Sequence, residues 1–317
     1  MPSLTQLGYI VAVDKVRHFG RAAVFCNITQ PTLSMQIQKV EEEIGYPLFD
    51  RLTKPVTPTA KGLKFIHQAK ALLQEHLKLM DLAKNQGSEV SGDLRLGVIP
   101  TVAPYLVPLF LEKFSQRFPK VQLVIDELKT TSIIESLREG TLDAGILATP
   151  VAERGLTETP LYYEPFSLYV SKQNPLSARK RIKEDDLSAS EMWLLADGHC
   201  FRNQIVRYCA LNRHEGVYPN VQFAGGNLDT LRNLIRKSRG YTLVPALFVD
   251  SLPEAERRDY VRELEKPVPT REISLVYRKD QWKSDILEAL EAVIRERLPD
   301  SLSQEHDPKG QDVIPID

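Results

Sequence analysis

The stretch TQPTLSMQIQKVEEEIG, residues 29–45, decides how the chain begins. Thr29 is placed to cap a helix through its hydroxyl, and Pro31 falls in the first turn, where a missing N–H costs nothing. Leu33, Ile37, Val40 and Ile44 then recur at helical spacing, and Gly45 closes the run. With that face assigned to a core, Gln30, Thr32, Ser34, Met35 and Gln38 are left outward. Amides can pair with adenine and hydroxyls with several base edges, so short polar side chains at a helix start suit the major groove. Upstream, LTQLGYIVAV (4–13) and FGRAAVFC (19–26) read as short amphipathic helices. A tight turn from Asn27 to Thr29 joins the second to the third and makes a helix-turn-helix, its second helix the recognition helix. Periodicity alone fits any small helical bundle with a polar face equally well.

Charge separates the same region from the rest. Residues 1–88 carry 11 Lys and Arg against 7 Asp and Glu, whereas the remainder carries 30 against 35. A basic first part on an acidic body points to a polyanion partner for the first part only. With 317 residues, 42% apolar and 26% charged, the chain can build two or three domains. It holds no run of 18 apolar residues, and its first 30 residues lack the order of a signal peptide, so the expected address is cytoplasmic, with no membrane partner. Three cysteines are too few for a disulfide scaffold and are expected as thiols in a reducing compartment.

Residues 59–86 run without a proline, and with one glycine, Gly62. Leu63, Ile66, Leu73, Leu77 and Met80 follow three-four spacing, with Lys70 in the seam, which predicts a helix of roughly 40 Å. So long a stripe asks for a partner helix, hence a homodimer whose two recognition helices meet two half-sites of an inverted repeat, a long helix packed on its own body being the alternative. A linker follows at 85–93. Beyond it short apolar strands alternate with helices, an α/β pattern with parallel pairing. Strands are expected at 94–100, 121–128, 142–149, 165–171, 191–197, 220–225, 241–249 and 272–278. Helices are expected near 105–117, 131–139, 201–211, 227–238 and 282–297. The polar tail, 301–317, reads as disordered.

GHCFRNQIVRYC, residues 198–209, holds Cys200 and Cys209. If the residues between them are helical, the two Cα atoms stand ~13 Å apart, at 1.5 Å per residue. A disulfide needs less than about 7 Å. A bond between them therefore requires the helix to unwind, which would make the pair a switch between two packings. Cys200 stands at the helix start beside His199, where the macrodipole and free N–H groups favour a thiolate, and Gly198 lets the backbone turn. Such a thiolate attacks peroxide to give a sulfenic acid, which a second thiol converts to a disulfide. Two ordinary buried cysteines are the competing reading. A zinc site of His199, Cys200, Cys209 and His214 is another, although an eight-residue spacer is not the usual ligand hook.

FGRAAVFCNITQPTLSMQIQKVEEEIGYPLFDR and the following VTPTAKG resemble the DNA-binding domain of LysR-type transcriptional regulators. Phe19, Ala22, Ala23, Gln30, Pro31, Leu33, Ser34, Gln36, Ile37, Glu42, Gly45, Leu48, Phe49, Arg51, Thr57, Thr59 and Gly62 carry the match. Thr29 stands for a serine, Val40 and Ile44 for leucines, and Cys26 for a core leucine, which makes Cys26 a buried structural residue. The resemblance implies a winged helix-turn-helix (1–58), a linker and dimerisation helix (59–88) and a two-lobed α/β regulatory domain similar to periplasmic binding proteins (89–300). Lobe I would comprise 94–163 and 268–300, and lobe II 164–267. Gln30, Pro31, Thr32, Ser34, Met35 and Arg51 would touch promoter DNA. Together with GVIPTVAPYLVP (97–108), LDTLRNLI (228–235), GYTLVPAL (240–247) and TREISLVYR (270–278), DGHCFRNQIVRYC resembles the branch of that family that senses hydrogen peroxide. By position this implies Cys200 as the peroxidatic thiol and Cys209 as the resolving one. Thr101 and Thr130 would help hold peroxide and a water, and His199 and Arg271 would polarise the oxygens. It also implies a homotetramer of paired dimers, with RNA polymerase a further partner and no cofactor or metal. Phe201, Asn203, Tyr208 and the basic IRKSRG (235–240) depart from the pattern and bear on rate, potential and interfaces. A metabolite-responsive regulator with incidental cysteines is the alternative. A thiol peroxidase is disfavoured by the lack of a peroxidase-like motif elsewhere.

Overall fold

The structure, a computed structural model, describes residues 1–84, 89–209, 217, 223, 225–307 and 309–316. It divides into two compact units, Met1–Glu89 and Val90–Asp317.

In the first unit the helix ends are written in side-chain chemistry. Ser3 and Gln6 form a reciprocal capping box at the start of α1 (Leu4–Val16). His18 Nδ1 accepts from the N–H groups of Gly20 and Arg21 at the start of α2 (Phe19–Phe25). Thr29 accepts from the Thr32 N–H at the start of α3 (Gln30–Ile44), and Gly45 ends that helix at φ +80°. Leu33, Ile37 and Val40 are buried with Leu7, Ile10, Val13, Ala22 and Ala23, as the apolar spacing requires. Cys26 differs from its expected place: it caps the C-terminus of α2 and is only half-buried, packed against the edge of that core.

A two-stranded wing follows, β1 (Phe49–Asp50) antiparallel to β2 (Thr57–Pro58). The Thr59 hydroxyl donates to the Pro47 carbonyl and accepts from the Gly62 N–H, seating the start of α4 (Ala60–Lys84) on the wing. The stripe of α4 is divided. Ile66 and Ala69 are buried and Leu73 half-buried in the unit's own core, and Lys70 pairs with the buried Asp14 at 3.0 Å. Leu63, Leu72, Leu79 and Met80 remain exposed.

The second unit carries one sheet in the order β4-β3-β5-β10-β6-β9-β7. Its elements are β3 (Gly92–Val98), α5 (Ala103–Arg117), β4 (Val121–Glu127), α6 (Thr130–Glu139), β5 (Ala144–Thr149), β6 (Leu156–Val170), β7 (Arg181–Ile182), α7 (Cys200–Tyr208) and α8 (Leu228–Lys237). They continue with β8 (Tyr241–Pro245), α9 (Ala246–Ser251), α10 (Glu254–Tyr260), β9 (Val261–Leu264), β10 (Val268–Arg278), α11 (Ser284–Arg297) and β11 (Gln311–Val313). The β3-α5-β4 and β4-α6-β5 passages give parallel pairing around β3. Two long strands then bridge two cores. The first part of β6 pairs antiparallel with β10, and the last part pairs with β8 and β9. One buried cluster gathers the residues of β3, β5, α5, α6, the middle of β10 and α11, and the other those of the end of β6, α7, α8 and β8. This is the two-lobed α/β architecture expected of the regulatory domain.

Three expectations are corrected. Residues 191–197 are not a strand; only Met192 makes an isolated bridge, to Tyr241. The apolar run 241–249 is a strand only to Pro245, whose missing N–H ends the ladder, and the rest is α9. Among the described residues of 301–316, the tail is not loose: β11 pairs parallel with β10, and Leu302, Ile314 and Ile316 are buried. The strand expected at 220–225 falls largely outside the described residues.

The closest approach in the first unit is at Gly62, where an added Cβ would lie 2.0 Å from the backbone oxygen of Leu48. Gly62→Ala is expected to destabilise this unit by about 2–3 kcal/mol through overpacking against backbone. Urea unfolding followed by helical circular dichroism of the full chain, with loss of DNA binding as a parallel readout, measures it.

Candidate functional site

The Arg271 guanidinium is fully buried, and its surroundings organise the regulatory site. Its Nε donates to Glu164 Oε2 at 2.8 Å, and Nη2 forms an ion pair with the same oxygen at 2.7 Å, while Nη1 donates to Thr101 Oγ1 at 2.9 Å and Nη2 to the Thr101 carbonyl at 3.1 Å. Glu164 is also fully buried, and its other oxygen accepts from the Leu247 N–H at 2.8 Å. The ring of Phe201 lies 5.1 Å from the guanidinium carbon, so the residue following Cys200 packs on the same cation. Thr101, Arg271 and the start of α7 are thus brought together through Phe201. Sequence reasoning missed Glu164. Its signal was a lone carboxylate inside the otherwise apolar, alternating YYEPFSLYV (162–170).

Thr130 and His199 belong to two segments that Lys129 ties together. Lys129, immediately before Thr130, donates through Nζ to the Asp197 carbonyl at 3.2 Å, and lies 3.3 Å from where a Cβ on Gly198 would stand. Gly198 has φ +87°, a left-handed turn that glycine enters freely and that delivers the chain into α7. His199 is the N-cap residue of α7 and is buried, and both burial and the charge of Lys129 lower its pKa. Both effects favour the neutral imidazole, which carries one acceptor nitrogen. The Thr130 hydroxyl is buried and has no hydrogen-bond partner among the described residues.

Cys200 and Cys209 occupy the two ends of α7, as its first residue and its C-cap, and both are free thiols. Nine residues of helix hold them ~13 Å apart, about twice the reach of a disulfide. Their surroundings differ. Cys200 belongs to the buried cluster of the first lobe, with Ile99, Val102 and Ala103, although the next residue, Phe201, belongs to that of the second. Burial and the charge of Glu184 push the Cys209 thiol up to about 12, so it stays protonated while α7 is intact. His214, the fourth member of the zinc reading, lies outside the described residues, and among those no group of three or more His, Cys, Asp or Glu side chains assembles.

On the nucleic-acid side, Gln30, Pro31 and Met35 are exposed and Thr32 and Ser34 half-exposed along one face of α3. Arg51 is anchored rather than free: it pairs with Glu41 at 2.7 Å, donates to Ser34 Oγ at 3.1 Å and stacks on Phe19 at 5.0 Å. Glu41 also accepts from the Leu48 N–H at 2.8 Å, so one carboxylate ties the recognition helix to both the wing and Arg51. No described helix is long and apolar enough to cross a membrane.

Residues 4–63 match the bacterial regulatory helix-turn-helix protein of the lysR family, and residues 87–299 match the LysR substrate binding domain. The chain belongs to the LysR family of DNA-binding transcription regulators, which are not enzymes. It is 38% identical over 298 residues to a hydrogen peroxide-inducible genes activator of Pectobacterium carotovorum, covering 93% of this chain and 97% of that one. It is 37% identical to the DNA-binding transcriptional dual regulator OxyR of Escherichia coli K12, covering 93% and 96%. Among solved structures, a full-length Pseudomonas aeruginosa OxyR with a cysteine-to-aspartate substitution aligns with TM-score 0.76 and 31% identity, covering 94% of this chain and 99% of that one.

Removing the charge of Glu164 would leave Arg271 buried without a counter-ion. Glu164→Gln is expected to cost about 3–5 kcal/mol in the regulatory unit, read as a drop in its urea midpoint. Because Cys209 is held protonated, iodoacetamide at pH 8 is expected to leave it unmodified in the native reduced chain and to alkylate it once urea unfolds α7. Mass mapping of the two cysteines checks this.

Proposed function

We propose that the chain is a hydrogen-peroxide-sensing transcription regulator acting on promoter DNA in the cytoplasm through a reversible Cys200–Cys209 disulfide. The observation that carries this reading is the pair of free thiols at opposite ends of one nine-residue helix, the first of them beside the Arg271–Thr101–Glu164 network. The likeness to hydrogen peroxide-inducible gene activators, and to an OxyR from Corynebacterium glutamicum solved with H2O2 bound at 29% identity and TM-score 0.61, supports the choice of oxidant.

The chemistry follows from the groups present. Cys200 as thiolate attacks one peroxide oxygen: an S–O bond forms, the O–O bond breaks, and the departing hydroxide leaves as water after taking a proton. Thr101 Oγ1 already accepts from Arg271, so its own O–H is free to donate to peroxide. The arginine thus acts through the threonine that it orients, while Glu164 balances its charge. The unpartnered Thr130 hydroxyl and the neutral His199 supply a further donor and an acceptor. Once α7 unwinds, the Cys209 sulfur attacks the sulfenic sulfur: S–S forms, S–O breaks, and a second water leaves. Two thiols give up two electrons, and one peroxide becomes two waters.

The DNA contacts assigned to Gln30, Pro31, Thr32, Ser34 and Met35 fit the exposed start of α3, with Arg51 bracing that face and available to a phosphate at its exposed edge. The exposed Leu63, Leu72, Leu79 and Met80 of α4 fit a homodimer helix, with pairing of regulatory domains giving the tetramer and RNA polymerase engaged at the promoter. One equivalent of H2O2 is expected to yield the Cys200–Cys209 disulfide by mass spectrometry and to alter the DNA footprint, and Cys200→Ser is expected to abolish both. A Cys200→Ser chain whose footprint still shifts with peroxide would sink the reading. A small organic ligand in the cleft, without disulfide formation, would favour the metabolite-responsive alternative.

A further inference from the structure

We propose that residues 301–316 are a latch on the redox helix, so that the disulfide state is reached only by releasing this C-terminal strap. The inference rests on the two-thiol switch proposed above. The strap lies beyond the matched regulatory domain, which ends at residue 299.

Its described residues are bound at several points. Leu302 is buried in the first-lobe cluster, and the Ser303 carbonyl accepts from the Tyr163 N–H at 2.8 Å. The Gly310 carbonyl accepts from the Val268 N–H at 3.0 Å, and β11 then runs parallel to β10, with Val313 level with Thr270. The next residue makes the decisive contacts. Ile314 donates its N–H to the Thr270 carbonyl at 2.9 Å, one residue before Arg271, and its carbonyl accepts from Gln204 Nε2 at 2.7 Å. Gln204 is fully buried in the middle of α7, between the two thiols. Asn203 adds a longer contact to the Ile316 carbonyl at 3.5 Å, and the Ile316 side chain lies in the same buried cluster as Cys200.

One residue of the strap therefore joins the strand that presents Arg271 to the helix that carries both cysteines. Closing ~13 Å to disulfide distance must unwind α7, and unwinding must carry Gln204 away from Ile314. That strands a buried carbonyl or requires the strap to lift off with its two isoleucines. Either way the strap favours the dithiol form. The Oε1 atom of Gln204, buried without a partner among the described residues, is already a weak point of this contact.

The test is equilibration of the full chain, of a chain ending at Asp300 and of Gln204→Leu in dithiothreitol redox buffers, with the Cys200–Cys209 disulfide quantified by mass spectrometry. Both variants are expected to shift the dithiol–disulfide equilibrium toward disulfide, the truncation by about tenfold or more, which is a potential about 30 mV more negative for a two-electron couple. Gln204→Leu keeps the side-chain bulk and guards against a truncated chain that fails to fold. Hydrogen exchange in the full chain supplies a readout free of mutation: the Ile314 amide is expected to lose protection at least tenfold on oxidation. Disulfide formation with unchanged potentials and a still-protected Ile314 amide would overturn the latch and leave the switch standing. Absence of the disulfide in all three chains would overturn the switch and the latch with it.

Discussion

A charged arginine cannot be taken out of water without a counter-ion, and in the regulatory unit that constraint is met at one place. Arg271 and Glu164 face each other across the β10–β6 ladder, so the ion pair is an internal cross-strand pair at the point where β6 passes from one lobe's core to the other's. The remaining hydrogen bonds of the pair reach Thr101, before α5, and Leu247, at the start of α9, and the face of the guanidinium meets the ring of Phe201 on α7. The lobes, the helix with the thiols and the threonine of the site are thereby referenced to a single guanidinium. Misplacing it would disturb all of them together, which is why a residue 71 positions from Cys200 in sequence governs its surroundings.

The readable parts of the fold were those whose information is local. The helix-turn-helix announced itself because caps, spacing and the closing glycine all lie within 17 residues, and the β-α-β passages because each strand is followed by its helix. Errors arose where one run of apolar residues serves two elements, as at 241–249, where Pro245 ends a strand and α9 begins. They arose also where burial depends on distant partners. Val313, Ile314 and Ile316 gave the tail an apolar signal, but nothing local said that β10 would have a free edge segment to receive it.

Of the candidate site, the cysteines, His199, Thr101, Thr130 and Arg271 were proposed from motif positions, whereas the direction in which Arg271 points could not be read there. It turns toward Glu164 and Thr101, making the threonine hydroxyl the polar tip of the network. The inequality of the thiols was legible only in half. The helix start marked Cys200 as special, but the suppression of Cys209 comes first from burial and then from the charge of Glu184, neither of which any motif connects to it. Arg51 shows the same limit: its motif position suggested a DNA contact, and nothing in that position told of the three internal partners by which it braces the wing.

Cys200 sits in the buried cluster of one lobe while the next residue, Phe201, belongs to that of the other. It behaves mechanically as a peg: a small apolar side chain at the tip of a second-lobe helix, seated in a first-lobe socket. Drawing that sulfur toward Cys209 would empty the socket as well as form a bond. In the regulatory unit a thiol so placed is at once a chemical group and a packing element, and neither role can be altered without the other.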